Sequence, residues 1–370
     1  MIRLYFLQAF YHLRENPIIT WVSILGTAMA ICMIMVLVIT FQVRLVDCEP
    51  EVNRSRTLYV PYMSVKQKGN SDNESANASM SVRTGRECFR ALSMPEAVTL
   101  ASGVYRVRAS VPSRSKATAD MVQTDEAFWT IFSFHFLSGE AFTKADCDAG
   151  LTRAVLDATT ARRLFGTTDA VGHTVQLDYV DYTVAGVVAD VSMLATAAYA
   201  QIWVPYTAAG AEAMSWQNDT MGPMHAIILA RSSADFDAIR EETELLRKKY
   251  NDGLQDVEVF YRGQPDTQLA YLYRRWYAEP DVPGVMLRYA IVVIILLLVP
   301  AVNLSGMTLS RMRRRMAEIG VRKAFGATGG ELMRQVFFEN LVLTLLAGIV
   351  GLVLSYVCLL YTSDAADDLI

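Results

Sequence analysis

Three stretches of this chain carry no charge at all: Ile18–Val43, Tyr289–Ser310 and Leu341–Thr362. The first is 26 residues long, about 39 Å as a helix at roughly 1.5 Å per residue, against a hydrocarbon thickness of about 30 Å. Runs of this kind oblige the chain to cross lipid as helices, since each backbone N–H and C=O must find its partner inside the segment. The 52% hydrophobic fraction of the 370 residues fits a chain partly embedded in membrane.

The first run is read as a permanent span. A cleaved leader has an apolar core of about 7–15 residues ending in a small-x-small site, whereas Arg44, Asp47, Glu49 and Glu51 follow directly here. Cys48 does not make a lipoprotein site, because Asp47 stands where a small residue is needed.

Charge then sets the orientation. Residues 311–340, RMRRRMAEIGVRKAFGATGGELMRQVFFEN, lie between the second and third runs and hold seven Arg or Lys against three Glu. Together with Arg3 and Arg14 ahead of the first run, they put the N-terminus and this block on the cytoplasmic side. Residues 44–310 hold 25 basic and 31 acidic side chains, which suits a translocated domain and argues against nucleic-acid binding. Within the basic block, Gly326 is placed to end one helix in the left-handed conformation, and Thr328 with Glu331 forms a T-x-x-E capping box for the next. Two helices are thus expected to meet at an elbow under the membrane.

The expected architecture is a membrane protein with α-helical transmembrane spans and a large two-lobed α+β extracytoplasmic domain inserted between spans 1 and 2. Residues 1–17 read equally as an amphipathic surface helix or as an extension of span 1 (18–43). The outer domain, 44–284, divides into a membrane-proximal α/β lobe (about 54–110 and 221–280) and a β-rich lobe (about 111–215). Strands are expected at Arg56–Met63, Val104–Ser110, His225–Ala230 and Asp256–Tyr261, and helices at Pro95–Ala101, Ser233–Tyr250 and Asp266–Tyr277. Lys66–Ser81 reads as a polar loop. The β-rich lobe carries one helix, Thr159–Phe165, ended by Gly166, and two strands, Thr174–Tyr179 and Tyr182–Val188, joined by a tight turn. Span 2 is 285–310, the elbow 311–340 and span 3 341–357. Gly26 with Ala30, and Gly348 with Gly351, suit close helix packing, while Pro300 and Asn303 read as a kink and an interhelical hydrogen bond.

Most reaction chemistry is missing from the sequence. It contains no G-x-x-x-x-G-K-[ST] loop and no Gly-Lys step, so these residues are not a P-loop ATPase. His12, His135, His173 and His225 are scattered without metal-ligand spacing, so no metal and no catalytic residue is expected. Glu241 and Glu242 read as a solvated helix face. Cys48, Cys88 and Cys147 permit one outer disulfide and demand none.

The elbow resembles the FtsX-like permease domain of MacB-type ABC transporters, in which a run of the form REIGIRKALGA follows the second span. Glu318, Ile319, Gly320, Arg322, Lys323, Gly326 and Ala327 match it in order. The outer region is similar to that family's periplasmic core domain through Phe132, Phe134, Gly139, Leu164-Phe165-Gly166, Val171-Gly172, Gly186-Val187-Val188 and Pro205. The resemblance implies a permease in the bacterial inner membrane whose elbow docks on a separate ATPase subunit, which binds the ATP. Ile319 and Phe325 would be its apolar anchors and Arg322 and Lys323 its polar contacts. It also implies a homodimer or pseudo-dimer of permeases, contact with membrane lipid, and an export partner in the periplasm or outer membrane. Other members release lipoproteins or regulate a cell-envelope hydrolase, and the large outer domain favours export over the latter. A bland reading remains, in which the basic residues only fix topology and bind anionic lipid. The family has four spans. Here the tail Cys358–Asp367, CLLYTSDAAD, resembles a translated sequencing-library adapter, so the natural sequence is expected to diverge after about Val357, which resequencing the locus tests.

Overall fold

The computed structural model describes residues 17–69, 75–112, 116–276, 278–314, 316–326 and 328–368. The expected helix at 1–17 therefore lies, apart from Pro17, outside the described residues. Helix α1 covers Pro17–Val43. Strands β1 (Thr57–Val60), β2 (Met63–Gln67), β3 (Ala76–Ala78), β4 (Ala97–Ser102), β5 (Tyr105–Ser110), β6 (Lys116–Thr124) and β7 (Phe136–Gly139) follow. β8 (Arg153–Asp157) leads into helix α2 (Ala158–Phe165), then come β9 (Thr174–Leu177), β10 (Val180–Val188) and β11 (Ile202–Pro205). β12 (Met224–Leu229), helix α3 (Phe236–Gly253), β13 (Val257–Phe260) and β14 (Asp266–Thr267) complete the insert. Helices α4 (Val282–Arg314), α5 (Met316–Ala324) and α6 (Gly329–Asp368) end the described chain.

Residues 43–282 form one compact unit. Its largest sheet runs β7-β10-β8-β11-β6-β5-β9, and β9 also pairs with β10, so six of its strands close into a ring. β10 makes the closure possible by changing partners along one edge, from β9 at Val180–Thr183 to β7 at Gly186–Val188. A bulge between Val184 and Gly186 bends the strand and keeps Val184 and Val187 on the same side. Each ring strand sends alternate residues inward: Val107 and Ala109, Ala119 and Met121, Ala154 and Leu156, Val175 and Leu177, Tyr182 and Val184, Ile202 and Val204. Helix α2 covers this interior with Ala161, Leu164 and Phe165. Asp157 caps it by accepting from Thr160 N–H at 2.8 Å, and Gly166 ends it at φ +78°. The β9–β10 hairpin turns on Asp178 and Tyr179, both at positive φ.

The residues between those inward ones face a second core. Val122, Val155, Val188 and Trp203 meet Tyr59, Ala101, Ile227 and Leu229 from the four-stranded sheet β14-β1-β12-β4, with Phe128, Phe132 and Phe142 between. The run EAFWTIFSFHFLSGEAF supplies this aromatic filling, in which Phe134 and Trp203 pack edge-on at 5.2 Å. On its other side the four-stranded sheet buries Leu58, Val60, Val98, Leu100, Ala226 and Ile228 against α3 and the three-stranded sheet β13-β2-β3. Three cores and every strand pairing thus close within residues 43–282, the requirement for a part that folds alone. The outer edge of β4 is sealed by a carboxylate. Asp125 accepts from Leu100 N–H at 3.0 Å, Thr99 Oγ1 at 2.6 Å and Arg90 Nη1 at 3.0 Å.

Several sequence-based boundaries move. Pro95–Ala101, expected as a helix, is strand β4, because its apolar residues face cores on both sides and short double-faced runs have no diagnostic period. Val104–Ser110, placed in the membrane-proximal lobe, pairs with β6 and β9, so the lobes divide at Gly103 rather than after Ser110. Consecutive strands joined by a short connection pair by default. Of the helix expected at Asp266–Tyr277, Asp266–Thr267 pair with β1 and only Gln268–Tyr273 are helical. The Lys66–Ser81 loop contains β3, and the Arg56–Met63 strand divides between β1 and β2. All five cysteines are free thiols.

The other unit comprises residues 1–42 and 283–370. Among the described residues, three helices are long and apolar enough to cross a membrane: Thr20–Val43, Val282–Ser310 and Gly329–Leu360. α1 and α6 pack through Ile24 and Ala28 against Val342, Leu343 and Ala347. Gly26 is exposed while Ala30 is buried, so the expected small-residue pair is not the contact. Gly351 takes that place, since a Cβ there would come 2.8 Å from the Ala28 carbonyl, whereas Gly348 faces open space. Pro300 lies inside α4, and the side chain of Asn303 lies outside the described residues. α4 and α6 are bridged by Thr308 Oγ1, which donates to Asn340 Oδ1 at 2.9 Å.

Candidate functional site

The elbow is built by two stop signals in a row. At the end of α5, Phe325 N–H donates to Val321 O and Gly326 N–H to Lys323 O, both at 3.1 Å. Gly326 then takes φ +92°, a conformation that costs a residue with a Cβ roughly 1–2 kcal/mol. Thr328 N–H donates to Glu331 Oε2 at 3.0 Å and Glu331 N–H returns to Thr328 Oγ1 at 3.4 Å. This reciprocal pair satisfies two donors at the start of α6. The helix it starts runs on without a break to Asp368. The elbow's second helix and the third apolar run, expected as separate segments, are therefore one element, because no residue between Gly329 and Leu360 breaks a helix.

α5 presents an apolar edge to solvent. Phe325 is 88% exposed, and Val321, four residues before it and so on the same face, is 58% exposed. Ile319, the other expected anchor, is half-buried, and Lys323 and Gly320 are exposed. The side chains of Glu318 and Arg322, and the whole of Ala327, lie outside the described residues. Val321 was legible from its i, i+4 spacing to Phe325, but the comparison with REIGIRKALGA drew attention to charged and glycine positions.

The outer unit holds two buried ion pairs next to the ends of the apolar runs. Arg54 and Glu51 expose 0% and 1% of their side chains. Arg54 Nη1 donates to Val43 O at 2.8 Å and Val46 O at 2.9 Å, Nη2 to Leu194 O at 3.0 Å, and Nε to Glu51. Glu51 Oε1 accepts from Ala197 and Ala198 N–H at 2.8 and 3.0 Å. A guanidinium on Val43 O also supplies a cation to the C-terminal end of α1. Ahead of α4, Arg274 pairs with Asp266 and donates to Ala278 O at 2.9 Å and Arg262 O at 3.0 Å. Gln268 Nε2 reaches Arg44 O at 2.9 Å, joining two segments of the outer unit that are far apart in sequence. None of these roles was read from sequence, where Glu51 counted only as part of an acidic cluster.

Other titratable groups are structural. Burial raises Asp125 to about 6 against the lowering pull of Arg90, and raises Asp157 to about 6 against its cap bond to Thr160. Glu242 accepts from Ser93 N–H, Ser93 Oγ and Met94 N–H at 2.9, 2.7 and 3.2 Å, so it pins a loop rather than merely facing water. Among the described residues no group of three His, Cys, Asp or Glu is placed to hold a metal.

Residues 20–246 match the MacB-like periplasmic core domain, and residues 290–366 match the FtsX-like permease C-terminal region. Among curated relatives, the pyoverdine export ATP-binding/permease protein PvdT of Pseudomonas aeruginosa is 28% identical over 231 residues, 62% of this chain and 33% of the relative. The macrolide export ATP-binding/permease protein MacB of Chromobacterium violaceum is 25% identical over 240 residues, 64% of this chain and 35% of the relative. The chain thus matches about a third of the length of these relatives. Among solved structures, the periplasmic region of MacB from Actinobacillus actinomycetemcomitans aligns at TM-score 0.39 and 18% identity, covering 55% of this chain and 90% of that one. The extracellular domain of the transporter YknZ from Gram-positive bacteria aligns at TM-score 0.38 and 16% identity, covering 54% and 99%.

Proposed function

This chain belongs to the family of the MacB-like periplasmic core domain, whose match at residues 20–246 takes in more than half of it, and on that premise we propose that it is an ABC-transporter permease subunit drawing its energy from an ATP-binding partner at the elbow. The observation that carries this reading is the outward Phe325, 88% exposed at the end of a short helix that a left-handed glycine stops just ahead of the next helix's capping box. A large apolar side chain presented so fully is a surface for another protein, and aromatic anchors beside cations make strong contacts. In this reading ATP is held by the partner, and residues 1–370 themselves carry no phosphate loop.

In this reading the N-terminus and the elbow lie in the cytoplasm, the helices cross the bacterial inner membrane, and residues 43–282 lie outside, as the basic block requires. Displacement of α5 on ATP binding is passed to α6, whose first turn the elbow fixes. Work is thus delivered to the outer unit for export, without a substrate pore through lipid. Two permeases act with two ATPases, and the outer unit meets a periplasmic or outer-membrane export partner.

The test is co-purification of the membrane-inserted protein with an ATP-binding-cassette protein from the same cells. Replacing Arg322 and Phe325 by Ala is expected to abolish recovery of the ATPase while membrane insertion is unchanged. Undiminished recovery overturns the coupling role.

A further inference from the structure

Where the chain passes from β4 to β5, the outer unit carries an open cleft that none of the roles above uses. Ser102, Gly103, Val104 and His225 line two adjoining cavities of about 440 and 170 Å³. The larger is walled by Tyr105 and Gln123 from the strand ring and by Ser79, Met214, Pro223 and His225 from the other lobe. Neither cavity is lined by a carboxylate, Lys or Arg. His225 Nε2 lies 2.9 Å from Ser79 Oγ, and desolvation pushes the ring down to about 4, so it too is neutral at ordinary external pH. An uncharged cleft of about 300–1,000 Å³ between lobes, with a few convergent polar groups, has the form of a small-molecule site.

One feature marks it as more than a packing gap. Gln123 is 3% exposed, its amide meets the Tyr105 hydroxyl, and its Oε1 is buried with no partner. Turning the amide over exchanges which atom is orphaned but leaves one unpaired either way, and a buried unpaired amide atom is costly. Met214, about half exposed, walls the larger cavity, and methionine adapts its shape to varied apolar bodies.

We propose that this cleft binds a small uncharged molecule with a flat apolar body and one hydroxyl or amide group, the body lying against Tyr105, Met214 and Pro223 and the polar group on Gln123. This goes beyond coupling at the elbow and does not depend on it.

The experiment uses residues 43–282 and two probes, 2-naphthol and 2-methylnaphthalene, titrated by fluorescence and calorimetry. 2-Naphthol is expected to bind saturably and 2-methylnaphthalene about tenfold more weakly, the difference being the hydroxyl. Gln123→Leu removes that preference, bringing the two probes within about twofold. A Cβ at Gly103 would meet nothing nearer than His225 Cε1 at 3.8 Å, so Gly103→Leu can extend into the cavity, and it is expected to weaken both probes at least about tenfold with an unchanged unfolding midpoint. Gly103→Ala serves as the milder block if the leucine variant is unstable. Absence of saturable binding, an unchanged hydroxyl preference in Gln123→Leu, or wild-type affinity in the folded Gly103 variants overturns the proposal. No ATPase enters the measurement, so failure here and failure of the coupling reading are told apart.

Discussion

Arg54 spends four hydrogen bonds on three carbonyls and a carboxylate, with its whole side chain out of water. Burying such a pair costs several kcal/mol per ion, and the return depends on satisfying each polar atom. Arg54→Ala is therefore expected to lower the stability of residues 43–282 by roughly 3–5 kcal/mol in urea unfolding, because Glu51 is left charged in a dry site. Glu51→Met with Arg54→Met should recover much of that loss. The pair was invisible in sequence because a glutamate after a membrane run and an arginine before a strand look like surface charges. Burial of a charge is decided by residues far along the chain, here Leu194 to Ala198. The carboxyls at 125 and 157 make a second residue-scale prediction. Both titrate at about 6 when folded, against 3.8 in the free side chain, so each stabilises the fold when protonated and ceases to as pH rises through about 6. The unfolding midpoint of the outer unit is expected to rise as pH falls from 7.5 to 5. Asp157→Asn, which keeps the cap, should shrink that rise by about half.

Among the elements, the membrane helices give the sharpest contrast. Gly351→Val would force a branched side chain against the Ala28 carbonyl, while Gly348→Val meets open space. The first is expected to lower the unfolding temperature of the detergent-solubilised chain and the second to leave it unchanged. At the elbow, Thr328→Ala removes one half of the reciprocal bond with Glu331 and should cost about 0.5–2 kcal/mol of local helix stability, read as faster amide exchange in residues 329–332. Sequence made this cap readable, since Thr328 and Glu331 are three residues apart and bond each other directly. It misjudged Pro95–Ala101 for the converse reason: a strand with cores on both faces shows no alternation until its neighbours are known. The aromatic run at 126–142 is plain in the sequence, but what it packs against is not. Its partner Trp203 is brought beside it only by the strand ring.

For the molecule as a whole, the apolar runs and the charge asymmetry were enough to divide membrane helices from an outer insert, because lipid and water impose composition over long stretches. The closure of six strands into a ring was not legible, since it depends on which edge of β10 meets β9 and which meets β7. Residues 43–282 alone are expected to unfold in a single cooperative step, with far-ultraviolet and near-ultraviolet circular dichroism changing together. Two separated transitions would show that the shared aromatic core does not bind the lobes together.

The topology also dictates an order of assembly. The ring and its cap draw on one continuous stretch, Tyr105 to Pro205, whereas β1 at Thr57–Val60 must wait for β12 at Met224–Leu229 and β14 at Asp266–Thr267. The ring therefore has all its strands before β12 and β14, the partners of β1, have been made. The four-stranded sheet is knitted last, and its final strand, β14, still precedes α4 and α6 in the chain.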